Sequence, residues 1–271
     1  IPVLPRVIFR DPMTAANWDI SAYGHLLQEF GSLGYRVVSF AEVQSDHRHL
    51  VLRHDVDFDP SLALELAEWE AEHDFRSAYF FLLVSEFYSA FTPTNRKILQ
   101  CIRALGHEVG LHFDPSAYVH ESGPPWSAAV RECELLEEIV GHDVQTVSLH
   151  RPPAEVLVGE LEIPGRRNTY ESRFFQEIGY CSDSRGSWNH GPPRELPEVS
   201  AGHAVQLLTH PIWWTGPRAS PQDRLEKFLR RRQRVLDQEL AKHCDVYRPE
   251  DYVVEGSIQM QTKGAPTKRE S

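Results

Sequence analysis

"LVLRHDVDFDPSLALELAEWE", Leu50 to Glu70, changes character twice within one short run. It opens as an apolar strand, and strand alternation then sets Asp55, Asp57 and Asp59 on one side, beside Arg53 and His54. From Pro60 the spacing turns helical, with proline at the start where its missing N–H costs nothing. A strand, an acid-bearing turn and a helix make one α/β unit. Three acids spaced by two repel one another unless something cationic sits among them.

Working outward, the same alternation repeats. "YRVVSF" precedes this unit, and "SAYFFLLV" reads as a buried strand followed by a helix through "TPTNRKILQCIRALG". "HEVGLHFD" and "VQTVSLHRPP" are strands separated by the helix "WSAAVRECELLEEIVG". "YESRFFQEIG" reads as a helix, "YCSDS" as a very short strand, "AVQLLTHPIWW" as the last strand and "SPQDRLEKFLRRRQRVLDQELAKH" as the closing helix. Such alternation implies a parallel sheet with right-handed crossovers. Six or seven units in roughly 250 residues fit a single-domain distorted (β/α) barrel better than an open sheet. The barrel is expected over residues 1–254, with 255–271 a polar tail that lacks periodicity.

The 271 residues are 41% hydrophobic and 25% charged, an ordinary globular balance with enough length for a real core. A net charge of −11 argues against nucleic acid or an anionic membrane as partner. The arginines of the closing helix read as the solvated face of a packed helix, whose apolar side is Leu225, Phe228, Leu229, Leu236 and Leu240. No apolar run reaches the roughly 20 residues of a membrane span. Cys101, Cys133, Cys181 and Cys244 are scattered with no C-x-x-C pair, which suits a reduced, cytoplasmic chain. The start at Ile1, with no secretion signal in "IPVLPRVIFR", leaves a trimmed upstream segment as an expectation.

The unusual polar residues gather at strand ends. Asp55 and Asp57 close one strand, His112 and Asp114 another, His150 and Arg151 a third, Asp183 a fourth and His210 a fifth. In a parallel α/β barrel those ends share the face that carries chemistry. A divalent metal together with Arg151 would supply the missing positive charge. Imidazole and carboxylate without thiolate suit a catalytic zinc, with cobalt, nickel or ferrous iron as alternatives. Such an ion activates water and polarises a carbonyl while a carboxylate takes the proton, which is amide or ester hydrolysis without a protein nucleophile. The lack of a G-x-S-x-G elbow agrees.

These residues resemble the polysaccharide deacetylase superfamily of carbohydrate esterases, over about residues 50 to 214 and in order. "HDVD" is similar to the first motif, which implies Asp55 as general base and Asp57 as metal ligand. "GHEVGLH" resembles the opening of the second and implies His112 as ligand. "HRPP" resembles the third, implying that Arg151 orients the base. "DSRGSW" resembles the fourth, with Asp183 and Trp188, and "LLTH" the fifth, making His210 the general acid tuned by Asp183. The second motif normally ends in another metal-binding histidine, but the position four after His112 is Ser116. His150 is the preferred substitute and Asp114 the next. Alternation puts His150 and Arg151 on opposite faces unless the chain twists at Pro152–Pro153.

Plainer roles stand beside these. Asp59 suits a helix cap and His107 a structural role, while His150 suits a substrate contact or a structural hydrogen bonder as well as a metal ligand. Trp213 and Trp214, with Trp188, would make a sugar-stacking wall or simply core. His25, His47, His49, His120 and His190 take no role. The expected function is removal of an acetyl group from an N- or O-acetylated sugar. The alternatives are hydrolysis of a small cyclic amide, ureide or formamide, and a non-catalytic sugar-binding relative. The sequence sets no oligomeric state.

Overall fold

The structure, a computed structural model, describes residues 18–120, 126–152, 162–189 and 191–248. His190, Pro153 and the expected tail lie outside them. The described residues fall into two compact units, one ending at Leu225 and the other beginning at Glu226.

The first unit is built on parallel strands β1 (Arg36–Val37), β2 (His49–Val56), β3 (Ala78–Phe81), β4 (Glu108–Phe113), β5 (Thr146–Leu149), β6 (Arg167–Asn168), β7 (Gly179–Ser182) and β8 (Val205–Thr209). Seven of them lie in the order β6-β5-β4-β3-β2-β8-β7, and β1 pairs with the start of β2. They curl into a half-barrel whose edges, β6 and β7, are not paired with each other. Helices α1 (Ile20–Ser32), α2 (Pro60–Glu72), α3 (Pro93–Ala104), α4 (Trp126–Val140), α5 (Ser172–Phe175), α6 (Pro197–Ala201) and α7 (Pro211–Trp214) connect the strands. No helix of the described residues is long and apolar enough to cross a membrane.

Period-two alternation sorts the side chains. Outward-pointing Val56, Tyr79, Phe81, Leu111, Phe113, Val147 and Leu149 pack against Ala63 and Ala67 of α2, Leu99 and Ile102 of α3, and Cys133 and Leu136 of α4. The intervening residues point inward. At the closed end of the half-barrel these are Val51, Ala78 and Phe80, packed with Val38, Phe40 and Phe174. Gly110 of β4 faces the same interior: a Cβ there would lie 2.5 Å from the Phe80 ring and 2.7 Å from the Thr146 carbonyl oxygen. Toward the C-terminal ends the inner face becomes polar, and that is where the site forms.

Local signals explain the element starts. Asp59 caps α2, its carboxylate accepting from the Ser61 N–H at 2.9 Å, with Pro60 in the first turn. Thr92 caps α3 in the same way, accepting from the Asn95 N–H at 3.3 Å. Several elements differ from expectation. α1 is not among the expected helices, although Asp19 caps it and Tyr23, Leu26, Leu27 and Phe30 are buried at helical spacing. "YESRFFQEIG" supports only four helical residues, Ser172–Phe175. "PIWW" does not extend β8, because Pro211 cannot donate to the ladder and instead starts α7. The closing helix, α8 (Pro221–His243), exposes Leu229, Leu236 and Leu240, so its expected apolar face is not packed along its length.

Candidate metal centre and proton donors

Arg53 and Asp55 are two residues apart on β2, so both point inward, and both are buried. The guanidinium grips the carboxylate through both oxygens, Nε to Oδ1 at 3.0 Å and Nη2 to Oδ2 at 2.8 Å. It also donates to Gln206 Oε1 of β8 at 3.0 Å and to Ser148 Oγ of β5 at 2.6 Å, and lies 4.9 Å from the Tyr170 ring centre. Burial opposes ionisation of Asp55, but the Arg53 charge, aided by His112, outweighs it and holds the carboxyl below its ordinary range.

The Ser148 hydroxyl fixes the next link. Its one proton goes to Asp55, at 3.0 and 3.1 Å from the two oxygens, and it accepts from Arg53. His112 Nδ1, 3.0 Å away, must therefore be the donor to Ser148. In a neutral ring that leaves a lone pair on His112 Nε2. This atom faces Asp57 Oδ1 at 3.2 Å and His150 Nδ1 at 3.1 Å, while His150 Nδ1 lies 3.5 Å from the same oxygen.

Asp57 Oδ1 is buried and makes no well-aligned hydrogen bond. Burial raises the Asp57 pKa, yet His112, His150 and the charge of His210 bring it well below the carboxylate range. The three candidate ligand atoms of Asp57, His112 and His150 lie within 4.8 Å of one another. Electron-rich atoms converging on one point call for a cation. Two imidazoles and one carboxylate fit zinc or a similar first-row ion with positions left open.

On the other flank His210, from the end of β8, meets Asp183, from the end of β7. His210 Nδ1 is 2.6 Å from Asp183 Oδ1, and the His210 backbone N–H also reaches that carboxylate at 3.1 Å. The Trp214 indole donates to Asp183 Oδ2 at 2.6 Å. Burial lowers the His210 pKa, but Asp183 first, then Asp57 and Asp55, push it up to about 9. Its Nε2 lies 3.7 Å from Asp57 Oδ2, facing the metal cluster.

Asp55, Asp57, His112, His150, Asp183 and His210 thus meet in one place, and two expectations need correction. Arg151 does not orient Asp55: it is exposed, and the guanidinium on Asp55 belongs to Arg53. Alternation from Ser148 puts His150 inward and Arg151 outward, and at Arg151 the chain turns through a left-handed conformation, φ 48°. Trp214 cannot stack on a sugar, because it is fully buried, stacked on Trp18 at 5.0 Å, and occupied with Asp183. Trp213 is 4% exposed, and Trp188 is half-buried beside Trp18 at 5.7 Å.

Asp114 caps the turn Pro115–Tyr118, accepting from the Ser116 N–H and hydroxyl at 2.9 and 2.6 Å. The serine in place of the usual histidine is therefore a turn-forming residue. His107 is structural, accepting from the Ser77 N–H at 3.2 Å and donating to the Ala67 carbonyl at 3.0 Å. Arg53 and Ser148 carried no motif. Their signal was a charged and a hydroxyl residue on fully buried strands, each two residues before a ligand or base.

No family model and no curated protein matches the chain. Solved structures do. A family 4 carbohydrate esterase from Bacillus anthracis is 14% identical, covering 71% of this chain and 79% of its own, with a TM-score of 0.42. The chitin deacetylase from Colletotrichum lindemuthianum is 15% identical, covering 73% and 86%, also at 0.42. A family 4 pseudoenzyme from Bacillus anthracis is 12% identical, covering 70% and 62%, at 0.37. These similar structures are carbohydrate esterases and deacetylases and a pseudoenzyme of the same family.

Proposed function

We propose that the chain is a metal-dependent deacetylase that removes an acetyl group from an N-acetylated or O-acetylated sugar or glycoconjugate. The observation that carries this is the convergence of Asp57 Oδ1, His112 Nε2 and His150 Nδ1 between an ion-paired carboxylate and the His210 imidazole. Asp57, His112 and His150 would hold a divalent cation, zinc first by ligand chemistry, which would supply a lowered water pKa and a polarised carbonyl.

The remaining work falls to the side chains. Asp55, kept ionised by Arg53, accepts the proton of the attacking water; its Oδ2 is 3.8 Å from His112 Nε2 and so borders the cluster. His210 carries the proton for the leaving nitrogen or oxygen. Asp183 holds His210 Nδ1, which leaves Nε2–H as the donor aimed at the site. The sugar class is supported by the five motifs. The test is acetate release from N-acetylglucosamine and its oligomers, with metal content measured beside it. One equivalent of metal and chelator-sensitive release are expected; stoichiometric metal without release from any acetylated sugar would refute the substrate class.

A further inference from the structure

Strand order brings three aromatic rings into a row along the rim of the metal centre. Trp213 follows β8, Phe58 follows β2 and Phe87 lies in the loop after β3, and those strands are neighbours in the order β8-β2-β3. The ring centres of Phe58 and Phe87 are 5.1 Å apart, and those of Phe58 and Trp213 are 6.2 Å apart. Phe58 directly follows Asp57, and Trp213 lies three residues after His210, so the row borders both the cation ligands and the proton donor.

The outer end of the row is open. Val84, Phe87 and Phe91 are 49%, 38% and 39% exposed, all in one loop. This loop is anchored: the Tyr88 hydroxyl accepts from the Leu82 N–H at 2.8 Å and donates to the Val56 carbonyl at 2.7 Å, and Ala90 is buried. Because Tyr88 and Ala90 face the protein, the side chains of Phe87 and Phe91 are held outward. Leaving three large apolar side chains part-exposed forgoes some of the gain of burying them, and a pinned loop cannot fold them away.

We infer that this shelf selects the substrate: the acetylated unit entering the metal centre carries an apolar alkyl or aryl group, which lies across Phe58, Phe87 and Phe91. The occupant follows from continuity, since the packed rings lead from Trp213, three residues after His210, through Phe58, next to Asp57, to the part-exposed Phe87. This inference rests on the deacetylase function proposed above.

The test compares kcat/KM for acetate release from N-acetylglucosamine and from its octyl β-glycoside, kept below its micelle concentration. Wild type should favour the octyl compound by about tenfold or more, as burial of a few methylenes predicts. Phe87→Ser and Phe87→Ser/Phe91→Ser, shown to be folded by circular dichroism, should contract that ratio toward one. Equal wild-type values, or a preference that survives the double substitution, overturns the inference.

If neither sugar releases acetate, the deacetylase function fails separately, and dissociation constants for the same two compounds decide the shelf. Tighter octyl binding lost in Phe87→Ser supports it, and equal binding overturns it. Self-association abolished by Phe87→Ser, with no substrate preference, would make the shelf a contact between copies and also overturns the inference.

Discussion

Asp55 shows how one buried carboxylate is made usable. Unpaired, it would be pushed toward the neutral acid; gripped by Arg53 at 2.8 and 3.0 Å, it stays ionised where the proposed chemistry needs a base. Asp55→Asn removes the base and none of the candidate metal ligands, so it should keep metal content and lose turnover, as elemental analysis and acetate release would show. Arg53→Met strands a buried charge and should cost about 3–5 kcal/mol in urea unfolding, part of which Arg53→Met/Asp55→Asn should recover. An Asp183→Asn change withdraws the anion that lifts His210 to about 9. The alkaline limb of kcat/KM should then move down by about one to three pH units, because the acid loses its proton earlier.

At the scale of elements, what could be read in the sequence was periodic. The alternation of β2, β4 and β5 and the helices between them follow from apolar spacing, and Asp59 and Pro60 mark the start of α2. Between the neighbours His150 and Arg151 the alternation does choose: Val147 and Leu149 are buried on the outer side, so His150 falls inward with Ser148 and Arg151 falls outward. Trp214 escaped because nothing local distinguishes a tryptophan that donates to a distant Asp183 from one that faces solvent. β4 offers a test of close packing, since Gly110 leaves no space for a methyl group between the Phe80 ring and the Thr146 carbonyl. Gly110→Ala should destabilise the fold by about 1–3 kcal/mol in thermal or urea unfolding, with activity falling as His112 shifts two residues along.

For the whole first unit, a group behind the sheet adds to the acid sensitivity conferred by Asp55 and Asp57. Glu70 of α2 is fully buried and accepts from the Tyr23 and Tyr79 hydroxyls at 2.5 and 2.6 Å, with His54 Nε2 at 3.0 Å. Burial would raise its pKa, but His54 and the two tyrosines bring it down to about 2 from an ordinary 4.5. A depressed folded-state pKa stabilises above 4.5, and that contribution is lost as pH falls toward 2. It amounts to about 3 kcal/mol, readable as a falling urea midpoint between pH 5 and pH 2 that Glu70→Gln should flatten.

The unpaired edges of the sheet have a consequence for how damage would be diagnosed. Asp57, His112 and His150 come from one arm of the arc, β2, β4 and β5, whereas Asp183 and His210 come from the other, β7 and β8, and the backbone ladder between the arms is β2–β8. Cation capture and proton delivery are therefore separable assets of two flanks. A lesion on the β7–β8 flank should yield protein that still loads its ion in full and yet stalls at expulsion of the leaving group.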